Sequence, residues 1–173
     1  MLNRNSLIQG ITILILVALL ILPVTAQQNL TQPRVSQHAS VSQRIGLTDI
    51  TVDFHRPGVQ GRDIWGALVP YDQVWRAGAN ENTTISFSTE VSINGNVVPA
   101  GTYGLHMIPT ESQWTIILSK DYEAWGSFFY KEENDQLRFA TEPGVATFQE
   151  WLSYAFKNLS ANSAENKSHM ESV

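Results

Sequence analysis

The sequence predicts an all-β fold, an antiparallel β-sandwich of jelly-roll or immunoglobulin-like type, and three observations carry that reading. Short segments alternate apolar and polar residues, which is the period of strands buried on one face. Turn chemistry recurs between those segments, as at Asn94-Gly95-Asn96. No long stretch after residue 38 repeats its apolar residues at helical spacing.

Taken in order, residues 1–26 read as a signal peptide. Arg4 supplies a positive start, Ile11 to Val24 is an apolar run short for a bilayer span, and Val24-Thr25-Ala26 ends in a small-residue cleavage site. The alternative is an uncleaved anchor, against which Pro23 and Ala26 both speak. Export to a bacterial periplasm or medium follows, with no membrane span after cleavage. Residues 27–38, QQNLTQPRVSQH, form a polar flexible leader.

The β-sandwich domain is expected over residues 39–160. In LTDITVDF, Ile50, Val52 and Phe54 share a face; TTISFSTEVSI aligns Ile85 and Phe87, and QWTIILS aligns Trp114, Ile116 and Leu118. These residues are expected to form one core. In TYGLHMI, Tyr103, Leu105 and Met107 face one way and His106 the other. Only IWGALVPYDQVW lacks alternation, so a short helical segment is expected near residues 62–75, broken before Pro70. Lys131 to Asp135 reads as a charged hairpin tip between strands WGSFFY and QLRFA. ATFQEWLSYAF puts Phe148, Leu152, Tyr154 and Phe156 on one parity of a last strand. Residues 161–173 are too polar for a further strand and are expected to be a disordered tail. The sheet edge left bare would invite self-association through strand pairing.

Composition narrows the function classes. Removing Arg4 with the leader leaves 10 Lys and Arg against 16 acids, a net charge of −6, and no basic tract suits a nucleic acid. The absence of cysteine excludes thiol nucleophiles, thiolate metal sites and a lipidated cysteine. The four histidines, His38, His55, His106 and His169, are widely spaced and form no metal-binding pattern, so neither a metal nor a cofactor is expected. GxSxG, Walker and dinucleotide signatures are also missing.

With the elements placed, the stretches LTDITVDFHRPGVQGR, LVPYDQVWRAGANENTTISFS, INGNVVPAGTYGLHMIP and WGSFFY resemble the family called domain of unknown function 2911. The resemblance runs from about Ala39 to Ala164 and implies an exported β-domain of Bacteroidetes-type bacteria, with no activity to carry over. His55 stands where members of that family usually have Tyr or Ser, and the apolar strand that usually follows SYAFKNLSANSAE is replaced by NKSHMESV.

The candidate site residues cluster around VWRAGANEN. Arg76 can fork onto a carboxylate or phosphate, Trp75 offers a stacking face, and Asn80 and Glu81 can share hydrogen bonds with sugar hydroxyls. The alternative is a self-contained turn in which Arg76 pairs with Glu81, Asn80 caps and Trp75 fills the core. An Arg76–Glu81 ion pair is expected on either reading. Arg56 and Arg62, flanking Gly58 and Gly61, can bracket an anion or else pair with Asp53 and Asp63. His106 is a candidate ligand contact or a structural histidine. Trp125, Phe128, Phe129 and Tyr130 form either a sugar platform or an edge strand. The leading expectation is a binding module for a small polar ligand, glycan or envelope partner. The alternatives are a hydrolase using Glu81 as acid/base, and a purely structural envelope protein.

Overall fold

The computed structural model describes residues 32–145 and 147–169 together with Asn3, without side chains for residues 165–169. The predicted leader, Asn3 and Gln32 to His38 apart, lies outside the described residues, as do Ala146 and residues 170–173. The chain divides after Pro33, and every strand lies in the unit Arg34–Val173.

Among the described residues ten strands follow in order: β1 (Gln37–Ile45), β2 (Thr48–Arg56), β3 (Thr84–Phe87), β4 (Val91–Ile93), β5 (Asn96–Val98), β6 (Gly101–Pro109), β7 (Trp114–Ser119), β8 (Asp135–Thr141), β9 (Ser153–Lys157) and β10 (Glu165–His169). Six of them form one antiparallel sheet in the order β1-β2-β3-β6-β7-β8; β4–β5 and β9–β10 are separate two-stranded hairpins. The architecture is all-β and sandwich-like, as the alternation predicts. Asn94 and Gly95 both take positive φ, 49° and 80°, the mirror-image turn that Asn-Gly favours between strands.

Register assigns the two faces of the large sheet. Val52 lies opposite Ile85, which lies opposite Tyr103, and Leu105 lies opposite Leu118. These residues join Phe54, Phe87, Met107, Val98, Leu152 and Tyr154 in a single core, with Ile50, Trp114 and Ile116 packed half-buried against it. The expected core is thus confirmed, and it occupies the inner face. The alternate residues form an outer face on which His106, Ile117 and Arg138 stand in one cross-strand row.

Three expectations are corrected. Residues 62–75 contain turns rather than a helix: Gly66 takes φ 79°, Val69 N–H donates to Ile64 O at 2.8 Å, and Trp65 bridges Val69. WGSFFY is a loop rather than a strand, because Gly126 takes φ 67° and breaks the extended backbone; a single 3₁₀ turn, Glu132–Asn134, then leads into β8. In the tail expected to be disordered from Ala161, Glu165–His169 pairs in antiparallel register with β9. Strand pairing is made by backbone groups, so a segment poor in apolar side chains can still add a strand. The last strand, in turn, is confined to Ser153–Lys157, and Phe148 lies outside it, 44% exposed.

Candidate functional site

The stretch VWRAGANEN works as a junction between the two faces. Trp75 exchanges both backbone hydrogen bonds with Met107, 2.8 Å each way, so it continues the line of β3 alongside β6. This pairing places Trp75 on the inner face with Met107 and sends Arg76 to the outer one. The chain then reverses tightly. Ala77 and Asn80 take φ 53° and 59°, and the buried Ala77 carbonyl accepts from Thr83 Oγ1 at 3.1 Å and Tyr154 Oη at 2.6 Å. Gly78 is required here, since a Cβ would lie 2.5 Å from Thr83 Oγ1 and 3.3 Å from the His55 carbonyl. Trp75 Nε1 closes the turn on Gly78 O at 3.1 Å.

The expected Arg76–Glu81 ion pair is absent. Glu81 instead binds Arg34 through both carboxylate oxygens at 2.6 Å and lies 3.3 Å from His55 Nε2. The reversal after Arg76 carries Glu81 over β2 and the residues preceding β1, out of reach of Arg76. The Arg34 contact, with a smaller one from His55, holds the Glu81 carboxyl below its usual range, whereas burial lowers the His55 pKa despite Glu81. Asn80 donates to Ser36 O at 3.1 Å and so helps to tie the same entering segment.

Arg56 and Arg62 form no pair with Asp53 or Asp63 and donate instead to backbone carbonyls. Arg56 Nε donates to Leu152 O at 2.9 Å, and Arg62 donates to Val59 O at 3.0 Å and Gly58 O at 2.6 Å. They hold the 57–62 loop and the start of β9 by capping carbonyls that no strand satisfies.

On the outer face, residues 121–131 roof His106. Its Nδ1 lies 3.0 Å from Ser127 Oγ and its ring 5.3 Å from that of Tyr130. Burial pushes its pKa down to about 4, against the opposing pull of Asp135 and Asp121, so the imidazole is neutral at pH 7. Tyr130 donates to Asp135 at 2.6 Å and Arg138 contacts both, while burial first, then the Asp135 bond, moves Tyr130 up to about 12. Arg76 reaches the same roof at Gly126, but the roof offers it no acceptor: its Nε is buried without a hydrogen-bond partner. Trp125, Phe128 and Phe129 are exposed on the roof, and Arg34 lies 5.8 Å from the Trp125 ring centre.

The inner face holds a cavity of about 1180 Å³. Trp65 stands between Trp75 and Trp114, edge-to-face with each at ring-centre distances of 5.6 and 4.5 Å, and the three line it beside Tyr71, Met107 and Ile116. Glu90, Glu111 and Glu142 supply its charged lining, and no Lys or Arg among the described residues does. Of the predicted site residues only Trp75 belongs to this cavity; Arg76, Glu81 and His106 are on the other side of the sheet. Trp65 and Trp114 escape a reading of local motifs because three distant segments must pack before the row exists. Among the described residues no three His, Asp or Glu converge as a metal site would require.

The class defined by this geometry is an antiparallel β-sandwich domain with ligand-sized space on the inner face of its main sheet and polar groups under a loop on the other. The chain belongs to the family described as protein of unknown function (DUF2911), whose model matches residues 36–171. No curated protein and no solved structure matches it.

Proposed function

We propose that this protein is an exported, non-enzymatic binding module whose inner-face cavity takes an amphipathic ligand without negative charge, a neutral glycan above all. The observation that carries the reading is the Trp75–Trp65–Trp114 row along a cavity whose only charged lining among the described residues is carboxylate. Indole faces pack on the apolar C–H face of a sugar ring, and Glu90, Glu111 and Asn94 at the same cavity can exchange hydrogen bonds with its hydroxyls. The volume, about 1180 Å³, lies just above the range of small-ligand sites, roughly 300–1,000 Å³, and leaves room for more than one sugar ring. Carboxylates at the lining would repel an anionic ligand.

The hydrolase reading, with Glu81 as acid/base, draws less support from the same geometry, which disfavours the acid role. A general acid needs a carboxyl raised toward neutral pH, whereas the Arg34 hydrogen bonds hold the Glu81 carboxyl below its usual range. The test is tryptophan fluorescence of the full chain titrated with neutral oligosaccharides of differing linkage. Saturable change is expected, with Trp65→Ala and Trp114→Ala each weakening affinity at least about tenfold. Binding that survives both substitutions, or no saturable change with any sugar, refutes the assignment.

A further inference from the structure

We propose that Arg76 anchors a second site, on the opposite face of the sheet, that binds the carboxylate or phosphate group of a ligand whose apolar body lies on Trp125 and Phe128. The argument begins with what other arginines do. Arg34 and Arg44 pair with Glu81 and Asp49, Arg56 and Arg62 cap backbone carbonyls, and Arg138 holds Asp135 and Tyr130. Arg76 alone among the described arginines has neither a hydrogen bond nor an ion pair, although it is half-buried and its Nε is sealed from water. A guanidinium N–H removed from water without an acceptor is costly, and Nη1 and Nη2, which are not sealed, are where an incoming oxyanion would supply acceptors to the guanidinium.

The surroundings fit that reading. Trp75 is fixed by two backbone bonds to Met107, so the Cα of Arg76 has little freedom. The roof is shaped to the guanidinium: Gly126 takes φ 67°, and a Cβ there would lie 2.2 Å from Arg76 Nη1 and 3.5 Å from a Phe128 ring carbon. The next residue, Ser127, is held on His106, which steadies the roof over the site. Trp125 and Phe128, flanking Gly126 along the chain, are 51% and 78% exposed, so apolar surface adjoins the charge. A charge fixed against Gly126 and exposed rings on either side of it together describe recognition of an anionic head on an apolar body.

The experiment compares the full chain and its Arg76→Met variant by thermal unfolding in phosphate, acetate, benzoate and chloride at equal ionic strength. For the wild type, a saturating oxyanion is expected to raise the midpoint by about 5 °C or more over chloride at a hundred times its Kd. Benzoate is expected to act at lower concentration than acetate, and Arg76→Met is expected to abolish both effects. Phosphate acting alone would assign a phosphate head, and the carboxylates acting alone a carboxylate head; either supports the site. Equal potency of acetate and benzoate overturns the role of Trp125 and Phe128. Should Arg76→Met not fold, the Arg76 Nε–H resonance of the wild type is followed instead. A saturable shift with one of the oxyanions supports the proposal, and a resonance unmoved by all three overturns it.

Discussion

Arg76 and Arg138 are the same side chain on the outer face, each meeting the loop that covers His106, and their environments differ completely. Arg138 finds Asp135 three residues away, Tyr130 at the end of the roof and Glu132 at 3.4 Å. Arg76 meets the roof at Gly126, where there is no side chain to answer it. A structural arginine brings its counter-ion in its own chain, so its charge is compensated whenever the protein folds. One left bare lowers stability unless something else completes it.

The largest effect that would test this contrast is removal of each charge in turn. Arg138→Met leaves the Asp135 carboxylate largely buried and uncompensated and is expected to cost about 3 kcal/mol in denaturant unfolding. Arg76→Met is expected to be neutral or stabilising in the absence of anions, since a methionine loses no partner there. Similar losses for the two variants would erase the distinction.

A comparable effect is expected from His106, which lies beneath the same roof. Its folded pKa of about 4 is below its unfolded value, so between pH 6.5 and 4 the unfolded chain binds the proton and the folded chain does not. Stability is therefore fully present above about pH 6.5 and falls as pH drops toward 4, by about 3 kcal/mol from this group. His106→Gln should flatten that part of the pH profile. An unchanged acid limb would show that His106 is not sealed under the roof.

The smallest effect belongs to the exposed pair. Arg34 and Glu81 make two short contacts, but their side chains are 52% and 41% exposed. Arg34→Ala is accordingly expected to move the denaturant midpoint less than Arg138→Met does, and less still at high salt. A loss larger than that of Arg138→Met would reverse the ranking of burial over contact length.

Much of the fold is legible in the residues themselves. Ile50, Val52 and Phe54, or Tyr103, Leu105 and Met107, declare a shared face by parity alone, and Asn94-Gly95 declares its turn by the positive φ it tolerates. The legible part of the site is narrower. That Trp75, Arg76, Asn80 and Glu81 form a special junction can be read from their types, but their grouping into one site cannot. Adjacent residues of an extended segment point to opposite faces, so Trp75 and Arg76 were bound to separate once Trp75 paired with Met107. Helix at residues 62–75 and disorder in 165–169 misled for a related reason: local composition is silent about backbone partners that come from elsewhere in the chain.

What the sequence determined by itself was therefore what depends on neighbours a few residues apart: strand period, the inner and outer parity of each strand, the Asn-Gly turn, and the lack of thiol chemistry. Only the tertiary structure decided what depends on residues brought together from afar. It gave Glu81 to Arg34, assembled the row of Trp65, Trp75 and Trp114, and set Gly126 against Arg76. The physical reason is range. Backbone propensity acts over one or two turns of chain, whereas the partner of a charge is whichever group packing delivers within a few ångströms, and for Arg76 it delivered a glycine fifty residues away.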